Sequence, residues 1–153
     1  MAKDNIIVTN RQAYRDYFIF ETFEAGIELK GSEIKSLRQT RANIKDGFAK
    51  VENGEIFLYN LHISPYEFAR REEIDAKRTR KLLLRKNQIA YIAVKIKEKG
   101  MSAVPLKVYF KKSLAKVEIA LAKGKKFYDK REALKAKEAN REIDRVLKNK
   151  KSS

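Results

Sequence analysis

The stretch that decides the fold is residues 104–121, which read VPLKVYFKKSLAKVEIAL. On both sides of Lys112-Ser113, apolar residues alternate with charged or polar residues. Such alternation is typical of a strand that buries one face and exposes the other, because successive side chains of a strand point to opposite faces. The stretch therefore predicts a half-buried antiparallel hairpin with its turn at Lys112-Ser113.

Further strands are predicted upstream of this hairpin. Residues 48–51 and 56–63 are largely apolar and flank Asn53-Gly54, the strongest short hairpin signal, because both turn positions favour positive φ. Residues 17–23 are rich in β-branched and aromatic side chains. Residues 24–26 are interpreted as a turn, after which the chain pairs back on the preceding strand.

Two helices are predicted among these strands. Residues 86–99 place apolar side chains at helical spacing, and Gly100 follows as a stop signal. Ser32 is expected to cap a short helix over residues 33–38, and the polar residues 66–81 are expected to form a loop. Several short strands with few helices predict a mainly β fold, a small closed barrel.

The charge of the chain identifies the chemistry of its partner. Its 36 Lys and Arg exceed its 20 Asp and Glu, so the formal net charge is +16, and the isoelectric point is near 10.0. A polyanionic partner is expected, which can be a nucleic acid, an anionic membrane or an acidic protein. No segment reaches the roughly 20 apolar residues of a membrane helix, and the N-terminus lacks the apolar run of a signal peptide.

The sequence offers little to an enzyme. It has no cysteine, which excludes thiolate zinc sites, disulfides and cysteine nucleophiles, and His62 is its single histidine. The acids Glu72, Glu73 and Asp75 could hold Mg²⁺ in a nuclease, but they are expected to pair with the basic residues around them. No phosphate-binding loop or catalytic triad is present. We therefore expect no enzymatic activity, no metal and no cofactor.

The C-terminal segment differs from the rest of the chain. Residues 123–153 carry 12 basic and 5 acidic residues, whereas the other 122 residues carry 24 and 15, so the net positive charge per residue is about three times higher in this segment. The apolar stripe that ends in Val146 and Leu147 is thin. We expect a barrel domain over residues 1–123 and a basic tail over residues 124–153, disordered alone and helical when bound. Gly124 is interpreted as the hinge between them.

Basic clusters with interleaved aromatic residues favour RNA or DNA as the partner. One cluster includes Arg78, Arg80 and Lys81, and another begins at residue 123 and includes Phe127 and Tyr128. Lysine and arginine displace counterions from phosphates, and aromatic rings stack on unpaired bases.

Two residues near the predicted first strands are further candidates for contact with bases. An exposed Asn10, beside Tyr14, Tyr17 and Phe18, could recognise a base that has looped out. Glu24, at the predicted turn, could accept hydrogen bonds from a base edge or order the basic side chains around it. A structural role for each of these residues remains an alternative at this point.

Six segments follow one another along nearly the whole chain in a recognisable order. They are Phe23-Glu24-Ala25-Gly26-Ile27, Glu33-Ile34-Lys35-Ser36-Leu37-Arg38, Asn43-Ile44-Lys45-Asp46, His62-Ile63-Ser64-Pro65-Tyr66, Arg78-Thr79-Arg80-Lys81-Leu82-Leu83-Leu84 and residues 122–131. In order and spacing they resemble the SsrA-binding protein family, also called small protein B. Each segment alone is a weak signal, but the six together are highly specific.

The resemblance implies an oligonucleotide-binding-type closed β-barrel with a few peripheral helices. It implies that the barrel binds the tRNA-like domain of transfer-messenger RNA (tmRNA), and that elongation factor Tu accompanies the complex to stalled ribosomes for trans-translation. The tail would then occupy the empty mRNA channel near the decoding centre, against small-subunit ribosomal RNA, and fold there as a helix. A cytoplasmic monomer with no membrane partner is expected.

The resemblance assigns Asn10, Tyr17 and Glu24 to the binding of tmRNA, and the basic clusters and matched segments add further candidates. The candidate residues on the barrel side are Asn10, Tyr17, Glu24, Lys35, Arg38, Arg78, Arg80, Lys81, Lys123, Lys125 and Lys126. On the ribosome side they are Gly124, Tyr128, Asp129, Lys130, Arg131, Val146 and Leu147. Tyr128 stands where some members have a histidine, so a stacking role is retained there and a pH-dependent charge is not.

Two other functions would explain part of the same sequence. A basic ribosomal or ribosome-assembly protein with the same barrel would account for the charge and the strands, but not for the thin-striped tail. An RNA-processing nuclease would use the acids at residues 72–75. Incubation with Mg²⁺ and labelled RNA separates these readings, because only a nuclease cleaves the RNA.

Overall fold

A computed structural model describes residues 5–65 and 75–125 of the 153-residue chain. Nine strands and three helices occur in these ranges. In chain order they are β1 (Asn5–Thr9), α1 (Arg11–Asp16), β2 (Tyr17–Ile27), α2 (Gly31–Arg38), β3 (Ala42–Asn43), β4 (Phe48–Glu52), β5 (Glu55–Tyr59), β6 (His62–Ile63), β7 (Arg80–Leu83), α3 (Lys86–Lys99), β8 (Ser102–Lys111) and β9 (Leu114–Gly124). The predicted mainly β fold with few helices is confirmed.

Seven of the strands form one antiparallel sheet in the order β1-β8-β4-β5-β7-β2-β9, and β8 also pairs with β9. The strand pairings therefore run from β8 through β4, β5, β7, β2 and β9 and back to β8, and β1 pairs along β8. The pairing between β4 and β8 is a short one, at Ala49 and Ala103. The two short strands β3 and β6 pair separately.

The hairpin predicted at Lys112-Ser113 is present as β8 and β9. Both turn residues have positive φ, 50° and 66°, as a two-residue hairpin turn requires. The expectation that the hairpin is half-buried was wrong, because the middle of β8 is buried on both faces. A β-bulge between Pro105 and Lys107 shifts the alternation along β8. Val104 and Leu106, which the alternation placed on the same face as Val108, instead pack with Ala13 of α1, so a helix covers this part of the opposite face.

The turn expected at residues 24–26 does not exist, because β2 continues through it to Ile27. Ala25 and Gly26 pair with β9, and Gly26 also pairs with Leu83 of β7. A Cβ at Gly26 would lie 3.2 Å from the Cβ of Leu83. The glycine therefore marks the close approach of two strands, where the sequence pattern indicated a reversal of the chain.

The second predicted hairpin is confirmed, with a shorter second strand. Asn53 and Gly54 have φ values of 51° and 76° and join β4 to β5. The strand predicted over residues 56–63 ends at Tyr59, because Asn60 adopts a positive φ of 63°. His62 and Ile63 then form β6, which pairs with β3.

The helix predicted over residues 86–99 is confirmed as α3, with Gly100 in the left-handed conformation at φ 64°. The helix predicted over residues 33–38 begins two residues earlier, at Gly31, and its cap is Lys30. Ser32 is not the cap: within the described ranges its hydroxyl has no hydrogen-bond partner. The backbone N–H of Lys30 donates instead to Glu33 at 2.8 Å.

The expected loop over residues 66–81 is shorter at its C-terminal end, because β7 begins at Arg80. Its residues 66–74, with Glu72 and Glu73, lie outside the described residues, as do residues 126–153 of the predicted tail. None of the helices in the described part of the chain has the length and apolar content needed to cross a bilayer.

Candidate nucleic-acid interface

The outer face of β2, β9 and β8 carries a cluster of charged side chains around Glu24. We call it the Glu24 cluster. Its members are Glu24 on β2, Lys116 and Glu118 on β9, and Lys107, Tyr109 and Lys111 on β8. The cluster forms because the three strands are neighbours in the sheet and alternate residues of each strand share a face.

Glu24 is held from two sides in this cluster. The hydroxyl of Tyr109 donates to its Oε2 at 2.5 Å, and Lys111 Nζ lies 3.4 Å from both carboxylate oxygens. Lys107 Nζ lies 3.6 Å from Glu118 Oε2 and 5.4 Å from the centre of the Tyr109 ring. Of the two roles expected for Glu24, the geometry matches the ordering of basic side chains and leaves base recognition as a proposal.

The same contacts fix the charge of Glu24. The hydrogen bond from Tyr109 lowers the pKa of this carboxyl below its ordinary value of 4.5, with help from Lys111 and Lys116 and against the effect of partial burial. Glu24 is therefore ionised near neutral pH, where a carboxylate only accepts hydrogen bonds.

A second basic region lies where β9 ends. Tyr17 and Phe18 pair with Gly124 and Lys123, and Lys125 Nζ lies 5.5 Å above the Phe18 ring. Beside them opens a cleft of about 950 Å³. Its charged lining residues are Arg15, Asp16, Asp46, Lys123 and Lys125.

Asn10 is not the exposed residue that the sequence indicated, because its exposed fraction is 6%. Its Oδ1 accepts a hydrogen bond from the backbone N–H of Ala13 and caps α1. Its Nδ2 donates to the carbonyl of Pro105 at 2.9 Å. The side-chain amide thus ties α1 to β8 beside the cleft, and any effect on RNA would be exerted through the position of that helix.

Arg80 and Arg78 are also placed differently from the prediction. Arg80 is fully buried and Arg78 half-buried, and both form ion pairs with Glu33 of α2 at 2.5 Å. Arg80 also donates to the backbone carbonyls of Leu61, Ala76 and Arg78. A guanidinium with five donors satisfies several acceptors at once, so the buried Arg80 links α2 to β7 and to the backbone around Leu61 and Ala76.

The Glu33 carboxylate is stabilised in its charged form. Burial acts to raise its pKa, but the hydrogen bonds from Arg78 and the backbone of Lys30, together with the charge of Arg80, lower it below 4.5 overall. Burial of an ion pair is costly unless such additional hydrogen bonds are made, and this pair makes them.

Lys81, Lys35 and Arg38 lie at the surface. Lys81 is half-buried and pairs with Glu55 at 3.0 Å. Lys35 and Arg38 are exposed on α2, and the Arg38 guanidinium lies 5.1 Å from the centre of the Phe110 ring. Lys126, Tyr128, Asp129, Lys130, Arg131, Val146 and Leu147 lie outside the described residues.

Sequence reasoning missed five members of the Glu24 cluster, namely Lys107, Tyr109, Lys111, Lys116 and Glu118. Their signal was in the stretch that decides the fold, where they occupy the polar positions of the alternation. It also missed Lys50, whose Nζ lies within 5.6 Å of the centres of the stacked Phe48 and Tyr59 rings. Those three residues meet only through the pairing of β4 with β5.

The described residues include no group of three or more His, Asp or Glu that could hold a metal ion. His62 lies half-buried on the short strand β6. Asp75 accepts a hydrogen bond from the backbone N–H of Lys77 at 3.2 Å, which is a contact with the backbone and not the pairing with a basic side chain that was expected for the acids of this segment.

Comparison with known proteins identifies the family. The profile described as "SmpB protein" matches residues 7–149. The chain belongs to the SmpB family. SmpB-family relatives named "SsrA-binding protein" include one from Geobacter sulfurreducens, 55% identical over 98% of each chain, and one from Caldicellulosiruptor bescii, 56% identical over 94% of this chain and 90% of its own.

A solved SmpB-family structure has the same fold. It is described as "tmRNA-SmpB: a journey to the center of the bacterial ribosome" and matches with a TM-score of 0.65 at 47% sequence identity. The match covers 77% of this chain and 83% of the other. The expected resemblance to the SsrA-binding protein family is thus confirmed.

Proposed function

We propose that this SmpB-family chain binds tmRNA and brings it to stalled ribosomes for trans-translation. The observation that carries the proposal is the family match over residues 7–149, with relatives named for binding SsrA RNA that align over 98% of their length. The solved neighbour was described with tmRNA and the ribosome. A net charge of +16 fits an RNA partner.

The fold proposed for this task is an oligonucleotide-binding-type closed barrel. The circuit of pairings through β8, β4, β5, β7, β2 and β9 supports it. Closure removes exposed sheet edges and leaves strand faces and loops as the binding surface.

For the tRNA-like domain we propose two contact regions on the barrel. One is the Glu24 cluster, and the other is the cleft at the end of β9 with Tyr17, Lys123 and Lys125. Lys35 and Arg38 on α2 and Lys81 on β7 are exposed or half-exposed and are proposed as peripheral phosphate contacts. Asn10 is proposed to act by placing α1.

For the ribosome we propose the tail, residues 124–153, as the contact in the mRNA channel near the decoding centre. The break in charge density at residue 123 supports this division of the chain. Gly124 ends β9, so the tail would leave the barrel beside the proposed cleft. Tyr128, Asp129, Lys130, Arg131, Val146 and Leu147 are the tail residues proposed to carry this contact.

This function would be carried out in the cytoplasm, by a monomer, with elongation factor Tu bound to the same RNA and not to this chain. No catalytic step is proposed. The acids at residues 72–75 are proposed to pair locally.

Capture of RNA from a bacterial lysate tests the proposal. The purified chain is immobilised, and the bound RNA is sequenced after washes at increasing salt. We expect tmRNA to be the most enriched species, and its retention to fall steeply with salt because several phosphates are neutralised. Enrichment of ribosomal RNA without tmRNA would favour a ribosomal or assembly protein, and cleavage of the RNA with Mg²⁺ would favour a nuclease.

A further inference from the structure

The Glu24 cluster places the Glu24 carboxylate, which Tyr109 and Lys111 contact, beside three lysines on a surface proposed to contact RNA. We propose that Tyr109 is a positioning residue that fixes Glu24 as the acceptor for the base edge of an unpaired guanine in the bound RNA. This inference rests on the proposed function and adds to it the base that the site recognises.

The hydrogen bond between Tyr109 and Glu24 spans three strands. In the sheet β9 lies between β2 and β8, and neighbouring strands are about 4.8 Å apart, so the two backbones are separated by roughly 10 Å. Both side chains must therefore lean over β9 to reach the 2.5 Å contact. Tyr109 is only 3% exposed, so its packed ring gives the hydroxyl a fixed position.

The Tyr109 hydroxyl occupies one lone pair of the Glu24 carboxylate and leaves the other lone pairs available to a ligand. Oε2 accepts from Tyr109, whereas Oε1 receives, among the described residues, only the 3.4 Å contact from Lys111. Each carboxylate oxygen has two lone pairs, and the Glu24 side chain is 38% exposed. A ligand can therefore approach both oxygens from solvent.

The chemistry of the acceptor selects the ligand. An ionised carboxylate repels phosphate and only accepts hydrogen bonds, so on an RNA surface it faces the donors of that surface, which are the ribose 2′-OH and the N–H groups of the bases. A ligand that matches both carboxylate oxygens needs two adjacent donors. Unpaired bases are read on their Watson–Crick edges, and guanine alone presents two adjacent N–H donors there, N1–H and the N2 amino group. Lys107, Lys111 and Lys116 are then placed to bind the flanking phosphates.

Glu118 provides a contrast within the same cluster. It pairs directly opposite Glu24 in the β2–β9 register, but its carboxylate is half-buried and engaged by Lys107 at 3.6 Å. No tyrosine hydroxyl orients it among the described contacts. We therefore assign base recognition to Glu24 and charge balance to Glu118.

The first test compares two tyrosine variants of the full chain in binding to a transcript of the tRNA-like domain of tmRNA. Tyr109→Phe removes only the hydroxyl and should weaken binding roughly tenfold, as expected for the loss of a charge-assisted hydrogen bond. Tyr91→Phe is the matched control, because the Tyr91 hydroxyl donates at 2.6 Å to Glu21, which is also on β2. It should leave the affinity unchanged.

The second test measures the recognition of guanine directly, and a purely structural defect would not change its result. Transcripts carrying one inosine per molecule, which lacks the N2 amino group, are selected for binding, and the excluded positions are mapped. The wild-type chain should exclude inosine at an unpaired guanine. Glu24→Ala should lose that exclusion, Tyr109→Phe should weaken it, and the control Tyr91→Phe should retain it.

The outcomes separate this inference from the proposed function. Failure of the wild-type chain to bind the transcript would overturn the function. Wild-type binding with equal affinities for the two tyrosine variants, or with the same inosine exclusion in Glu24→Ala, would overturn the inference alone. Thermal unfolding of each variant confirms that it is folded when its binding is measured.

Discussion

Glu33 and Arg80 form the most deeply buried ion pair in the described part of the chain, and its surroundings explain how two charges are tolerated there. Each carries hydrogen bonds beyond the pair: Glu33 from the Lys30 backbone, and Arg80 to three carbonyls. The pair connects α2 with β7 and with the segment before it. Arg80, which the sequence placed at the RNA surface, is therefore a structural residue.

Removal of the carboxylate should destabilise the fold strongly. Glu33→Ala leaves the Arg80 charge buried without its counter-ion, and we expect a loss of about 3–5 kcal/mol in the free energy of unfolding. Glu55→Ala is the control, because the pair of Glu55 with Lys81 is exposed and should be worth less than about 1 kcal/mol. Urea unfolding measures both; equal losses would contradict the structural role of the buried pair.

The free energy of unfolding should depend on pH in acid because the Glu33 carboxylate becomes protonated there. The pKa of Glu33 is lowered below 4.5 in the folded chain, so the stabilisation is complete above about pH 4.5 and is lost as pH falls through the folded value. Glu33→Gln, which cannot ionise, should be less stable near neutral pH and should lose stability less steeply in acid. Urea unfolding between about pH 5 and pH 3 tests this; parallel curves for the two chains would exclude Glu33 as a source of the acid sensitivity.

At the scale of elements, local signals succeeded where a turn or helix end is specified by the backbone alone. Asn53-Gly54 and Gly100 were predicted because their positive φ values favour those residue types. The failure at Gly26 has the opposite cause. Gly26 is required because Leu83 of another strand approaches it closely. In the sequence such a glycine cannot be told from a glycine in a turn, and only the tertiary structure distinguishes the two.

The hairpin between β4 and β5 gives the test at this scale. Gly54 has open space around it but a φ of 76°, so Gly54→Ala should cost about 1 kcal/mol through backbone strain alone. Gly31, at the start of α2, also has open space and has no positive φ. Gly31→Ala should be neutral or stabilise by up to about 1 kcal/mol, and thermal unfolding that ranks the two variants in the reverse order would contradict this account.

At the scale of the whole molecule, the chain combines a packed, mainly β fold with a basic C-terminal segment that begins as β9 ends. The sheet buries the apolar faces of its strands around one main core, while the described surface carries lysines and arginines. The two parts are proposed to perform separate tasks, and this separation can be tested by deletion.

Deletion of residues 129–153 should separate the two tasks. The shortened chain keeps both proposed contact regions, so its affinity for tmRNA should stay within a few fold of the full chain. It should fail to support peptide tagging on stalled ribosomes. Filter binding and an in vitro tagging reaction measure the two activities. If both activities disappear together in a folded variant, the division of tasks is wrong.

The sequence by itself determined the polyanionic character of the partner, the mainly β class, the two hairpin turns, the long helix and the family. These properties depend on charge, on periodicity and on residue types with restricted φ, all of which are local. It could not determine which polar residues face solvent. Asn10, Arg78 and Arg80 are residue types that usually lie at the surface, but chain segments distant in sequence pack around them. Tyr109 and Glu24 are 85 positions apart, and they meet only because β9 lies between their strands. Burial and cross-strand contact depend on the packing of distant segments, so only the tertiary structure decided them.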